Sequence, residues 1–120
     1  MEKYKLGEME QRLADMIWES EPILMRELID LCATTFDWKR TTTYTMLKRL
    51  SDREICINEN GRVSVLIKKA DYLAEKGEEF LAESFEGSLP MFLTAFTRRK
   101  KLSASEIQQI QQLIDEYKEG

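Results

Sequence analysis

Trp38-Lys39-Arg40-Thr41-Thr42-Thr43-Tyr44-Thr45-Met46-Leu47-Lys48-Arg49-Leu50 is the stretch whose reading decides the fold. Placed on a helix, it splits into two faces. Thr43, Met46, Leu47 and Leu50 recur at three- and four-residue spacing and turn inward. Arg40, Thr41, Tyr44, Thr45, Lys48 and Arg49 are left outside, a face of hydroxyls, a phenol and cations that carries no carboxylate. Such a face suits the major groove of DNA. Hydroxyls and Tyr bond phosphates or base edges, and Arg and Lys neutralise phosphates.

The flanking sequence supplies the rest of a DNA-binding head. Glu8 to Ser20 reads as an amphipathic helix, with Met9, Leu13, Met16, Ile17 and Trp18 as its apolar stripe and Glu8, Glu10, Arg12 and Asp15 on the wet side. Gly7 serves as its N-cap, and Pro22 ends it by disfavouring helical geometry at Glu21. Ile23 and Leu24 form a short extended piece. A second helix covers Met25 to Cys32 with Leu24, Leu28 and Leu31 in register, and Ala33 to Asp37 connects it to the helix of about Lys39 to Arg53.

The period then changes. Ile55 to Asn58 and Val63 to Ile67 are β-branched runs separated by Asn60-Gly61, a pair favoured in type I′ hairpin turns because both positions tolerate positive φ. Three helices followed by a hairpin predict a winged helix-turn-helix. The hairpin is the wing, and Arg62 at its turn reaches phosphate or the minor groove.

Beyond Lys68-Lys69-Ala70 the chain reads as a separate helical arm, giving a DNA-binding domain over residues 1–69 and a dimerisation domain over 70–120. One helix spans about Asp71 to Phe85, capped by Asp71, with Leu73, Phe80, Leu81 and Phe85 apolar. Gly87-Ser88 breaks it. A short apolar helix, Leu89 to Thr97, tolerates Pro90 in its first turn. Arg98 to Lys101 is a basic link, and Ser103 with Glu106 forms a capping box that opens the last helix. Ile107, Ile110, Ile114 and Tyr117 recur there at three and four, a narrow seam that suits a partner helix. Together with Leu89, Phe92 and Phe96 this predicts a homodimer held by the C-terminal third. The fold class is therefore mainly α with a small β-hairpin.

Composition fits that reading. The chain has 120 residues and a formal net charge of -4, enough length for a real core without metals or disulfides. Trp38 to Arg53 holds five basic residues and the single acid Asp52, whereas Asp71 to Glu86 holds six acids and Lys76. A basic stripe on an acidic body is a sufficient footprint for DNA. Cys32 and Cys56 are far apart among apolar neighbours and read as buried free thiols. No histidine is present, so Ser-His and Cys-His nucleophile pairs are impossible and a zinc or copper site is not expected. No apolar run reaches membrane-spanning length and no signal peptide is evident, so a cytoplasmic protein without cofactor and without enzymatic activity is expected. A winged-helix module that binds protein instead of DNA is the alternative, since fold alone does not fix function.

Three features resemble the penicillinase-repressor and methicillin-repressor family, which also includes copper-responsive repressors. They are Glu10 to Met16-Ile17-Trp18, the string Thr41 to Leu50 followed by the hairpin, and Phe85-x-Gly87-Ser88 ahead of the apolar helix around Phe92 to Phe96. The resemblance covers nearly the whole chain. It implies a dimeric repressor that binds palindromic operators, often centred on a TACA-to-TGTA dyad. Carried onto this chain, it implies DNA contacts by Thr41, Thr42, Tyr44, Thr45 and Arg49, with Arg40, Lys48 and Arg62 on the backbone. A usual valine or isoleucine of the recognition helix is Thr43 here. In the antibiotic-responsive branch a membrane protease signals and the arm is cut, commonly between Asn and Phe. The matching bond is Ala95–Phe96, without the Asn. The copper branch uses C-terminal Cys-x-Cys pairs, which this chain lacks.

Overall fold

The Glu21-Pro22 pair stops the first helix at the expected place, and the chain turns there into a strand. The computed structural model describes residues 5–120, in the order α1 (Glu8–Ser20), β1 (Ile23–Leu24), α2 (Met25–Phe36), α3 (Arg40–Asp52), β2 (Cys56–Glu59), β3 (Arg62–Val65), α4 (Lys69–Ser84), α5 (Leu89–Arg99) and α6 (Ala104–Glu119). It comprises two compact units, one running up to Gly77 and the other from Glu78 onward.

In the first unit, α1, α2 and α3 pack round one core. Leu13, Ala14 and Ile17 of α1, Met25, Leu28 and Cys32 of α2, and Leu47 and Leu50 of α3 are buried together with Ile55, Cys56 and Val63. Each fully buried leucine or isoleucine among them contributes roughly 1.5–3 kcal/mol of transfer free energy. The sheet is antiparallel in the order β1-β3-β2. Ile23 and Leu24 pair with Val63 and Arg62, so the short extended piece is the third strand of the wing. Asn60 and Gly61 sit at φ 52° and 83°, the left-handed pair that a type I′ turn requires.

Several sequence readings shift. α2 continues past Cys32 to Phe36, where Asp37 takes the left-handed conformation, its amide donating to the Ala33 carbonyl and the Trp38 amide to that of Cys32. Phe36 and Trp38 then stack at 4.8 Å across the turn. The buried stripe of α2 is Met25, Leu28 and Cys32, and Leu31 stands partly exposed. Glu10 is not on the wet side of α1 but buried beneath α3. Asp71 lies inside the first turn of α4 and does not cap it, and the buried residue there is Tyr72, while Leu73 is exposed. The hairpin strands stop at Val65, short of Ile67, and α5 runs on to Arg99, leaving a shorter basic link.

The first turns of α4 belong to the head. Tyr72 packs on Trp18 with ring centroids 4.8 Å apart and donates its hydroxyl to Gln11 Oε1 at 2.6 Å. Gln11 donates in turn to Asp15, which also pairs with Lys69 at 3.2 Å. Trp18 Nε1 donates to the Ile67 carbonyl at 3.0 Å and fixes the exit from the wing.

In the second unit the end of α4, α5 and α6 carry large apolar side chains that remain accessible. Neither α5 nor α6 contains a buried residue. Phe85 and Phe92 meet edge-on at 5.4 Å, with Phe80 and Phe96 next to them, and form a small aromatic cluster. Ser103 and Glu106 close the expected capping box, their reciprocal bonds at 2.9 and 3.0 Å. The Ser103 backbone amide, then its hydroxyl, hold the Glu106 carboxyl below its ordinary range.

Candidate nucleic-acid interface

α3 is fastened by its inner face and presents its outer one. Thr43, Leu47 and Leu50 are buried and Met46 is half-buried, as the spacing predicts. Thr43 takes the core position through its methyl group, while its hydroxyl lies beside the Cys32 thiol. Burial raises the Cys32 thiol pKa and that hydroxyl opposes the rise. Cys56 is likewise pushed up to about 11 by burial, with the Ser51 hydroxyl opposing. Neither thiol has thiolate character at neutral pH.

Arg40, Thr41, Thr42, Tyr44, Thr45, Lys48 and Arg49 are all exposed along one side of α3, and no carboxylate precedes Asp52. Local contacts preset several of them. The Arg40 guanidinium lies 5.6 Å over the Tyr44 ring. Thr45 donates its hydroxyl to the Thr41 carbonyl at 3.0 Å, which commits its proton and leaves the oxygen to accept. Lys48 pairs with Asp52 at 3.3 Å, an exposed i,i+4 contact worth little and readily exchanged for phosphate. Arg62, at the start of β3, is also exposed and has no ion-pair partner among the described residues.

Two charged residues escaped the sequence reading. Glu10 reaches from α1 under the C-terminal half of α3, its Oε2 3.3 Å from Arg53 Nε and its Oε1 3.9 Å from Arg49. The Glu10 side chain is 11% exposed and the Arg49 side chain 58% exposed, so the carboxylate reaches one nitrogen of the Arg49 guanidinium while most of that side chain stays accessible. The clue was an acid one turn before Leu13 on the buried side of α1, with a pair of arginines to meet it. The other is Arg26, exposed in the first turn of α2, where it lines a cleft with Arg40, Tyr44 and the wing turn. An arginine opening the helix before the recognition helix was the available signal.

The residues expected to dimerise fall in the second unit. Leu89, Phe96, Ile107 and Ile114 are exposed, and Phe92 and Ile110 are half-buried. Ile107 is 54% exposed and Leu113, unassigned from sequence, 67%, so the apolar seam of α6 is broader than the three-and-four spacing indicated. Ala95 and Phe96 lie inside α5 and are both exposed. No cluster of His, Cys, Asp and Glu among the described residues could hold a metal ion. No helix among them is long and apolar enough to cross a membrane.

Residues 6–116 match the family model described as Penicillinase repressor. A curated relative, the Penicillinase repressor of Bacillus licheniformis, is 29% identical over 118 residues, which cover 95% of this chain and 92% of the relative.

Proposed function

Because the chain belongs to the penicillinase repressor family, we propose that it is a cytoplasmic, sequence-specific DNA-binding repressor that grips a palindromic operator as a homodimer. The observation that carries this reading is the outer face of α3, a continuous exposed row of cations, hydroxyls and a phenol without an acid before Asp52. Laid in the major groove, it puts Thr41, Thr42, Tyr44, Thr45 and Arg49 against base edges, with Arg40, Lys48 and Arg62 on phosphates. In this reading the unit up to Gly77 is the DNA-binding domain, its boundary moved beyond residue 69 by the packing of Tyr72 on α1, and the unit from Glu78 onward is the dimerisation domain.

The arm supports the dimer by what it fails to bury. A 43-residue unit with no buried residue in α5 or α6 leaves Leu89, Phe92, Phe96, Ile107, Ile110 and Ile114 for a second copy to cover. Two heads held one DNA turn apart then act as one bivalent ligand. Cutting Ala95–Phe96 would separate α6 and its isoleucine seam from the head, and each head alone would bind far more weakly. A membrane-linked sensor protease is the upstream partner this implies.

The test is a gel-shift titration. Arg49→Ala should weaken operator binding, and Thr42→Ala and Tyr44→Ala should relax sequence preference, each with a loss of roughly 1–3 kcal/mol. Wild-type affinity in all three variants would reject this placement of α3. Phe92→Glu with Ile110→Glu should yield monomers in sedimentation, and an intact dimer would place the interface elsewhere.

A further inference from the structure

We propose that the cleft between the start of α2, the first turn of α3 and the wing turn is a seat for one phosphodiester of the DNA backbone, with Arg26 its main ligand. This rests on reading α3 as the DNA-facing helix. The cleft has a volume of about 340 Å³ and is lined by Arg26, Ile29, Arg40, Tyr44, Asn60 and Gly61 among others. Two arginines and a tyrosine therefore line one opening, and no acid lines it.

The walls are held in place before any ligand arrives. The Gly61 carbonyl accepts from Met25 N at 2.7 Å, and Gly61 N donates to Asn58 Oδ1 at 3.1 Å. β1 pairs with β3 immediately beside this turn. The wing turn is thus locked to the first residue of α2, and the width of the cleft does not depend on a loose loop. A site whose donors are already placed loses less entropy on binding.

The charges inside are uncompensated. Arg26 and Arg40 have no ion-pair partner among the described residues, and the Arg40 guanidinium lies over the Tyr44 ring. Two of the acids nearby are held by backbone amides. Glu27 accepts from Leu24 N at 3.2 Å, and Glu21 from Val65 N at 3.4 Å. The positive end of the α2 dipole adds to the field at the mouth. A flexible anionic backbone with bidentate acceptor oxygens is the ligand that fits a cleft lined by two arginines.

A phosphate seat makes a definite salt prediction. Each phosphate neutralised adds about 0.9 to the slope of log affinity against log salt, so a two-headed complex gains about 1.8 from two such seats. The experiment measures binding of the full-length chain to a mixed-sequence duplex by fluorescence anisotropy between about 50 and about 200 mM salt. Arg26→Ala should flatten the slope by about 1.8, losing roughly twelvefold less affinity over that fourfold rise than wild type. Arg26→Lys should keep the wild-type slope. Arg12→Ala, an exposed arginine that lies over Phe36 and does not line the cleft, should also keep it. An Arg26→Ala slope equal to wild type overturns the seat while leaving the DNA-binding reading intact. A wild-type protein that does not bind the duplex overturns both.

Discussion

Glu10→Gln tests the packing under α3 most sharply, because it removes one charge and almost no volume. The Glu10 carboxylate faces Arg53 at 3.3 Å and Arg49 at 3.9 Å, from a side chain that is 11% exposed. Opposite charges at this range attract by about 4–5 kcal/mol in an effective dielectric of about 20, before the cost of desolvating the carboxylate is subtracted. Arg53 is 31% exposed and Arg49 58%, so water screens both contacts and receives both guanidiniums when the charge is lost. The net loss should therefore fall between the surface and buried limits, at about 1–2 kcal/mol. For a head of this size that lowers the midpoint of thermal unfolding by roughly 5–10 °C. Urea unfolding of Glu10→Gln, Arg53→Ala and the double variant should give a coupling of about 1 kcal/mol. Additive losses, or a Glu10→Gln protein within about 0.3 kcal/mol of wild type, would refute the ion-pair account and leave Glu10 as a tolerated buried acid.

Three further outcomes are expected. Gly77 sits in the interior of α4 with open space where a Cβ would go, so Gly77→Ala should stabilise by about 0.5–1 kcal/mol in chemical denaturation. Tyr72→Phe keeps the ring on Trp18 but deletes the 2.6 Å bond to Gln11, and should cost about 1 kcal/mol, read as a lower urea midpoint. The Cys56 thiol is raised from 9 to about 11, so the folded state holds its proton longer than the unfolded state. Its contribution is complete below pH 9 and declines by about 2–3 kcal/mol as pH rises through about 11, and urea midpoints of Cys56→Ala should lack that part of the alkaline decline.

The recognition helix was legible because its inward residues obey one period, and α3 buries Thr43, Leu47 and Leu50 accordingly. The wing was legible because Asn60-Gly61 leaves few other conformations open, and both residues adopt positive φ. What escaped depends on partners distant in sequence. Glu10 reads as a solvated acid until α3 brings Arg49 and Arg53 over it. Tyr72 reads as one more residue in an acidic helix until Trp18 and Gln11 meet it from α1. β1 is too short to identify alone, and only pairing with Val63 and Arg62 makes Ile23 and Leu24 a strand. The end of α2 was misplaced because Ala33-Thr34-Thr35 has no apolar periodicity, and the stop signal lay in the left-handed Asp37 beyond it. In the arm the exposed apolar seam was visible from spacing, but its breadth through Leu113 required the helix to be built.

The central claim, that two copies of α3 read a dyad, is tested most directly by a genomic binding selection with the purified full-length chain, sequenced at two salt concentrations. The account predicts enrichment of a palindromic site whose half-sites lie about one helical turn apart, weakening steeply as salt rises. Recovery of sequence-blind DNA alone, or of none, would contradict it and favour a winged-helix module that binds protein.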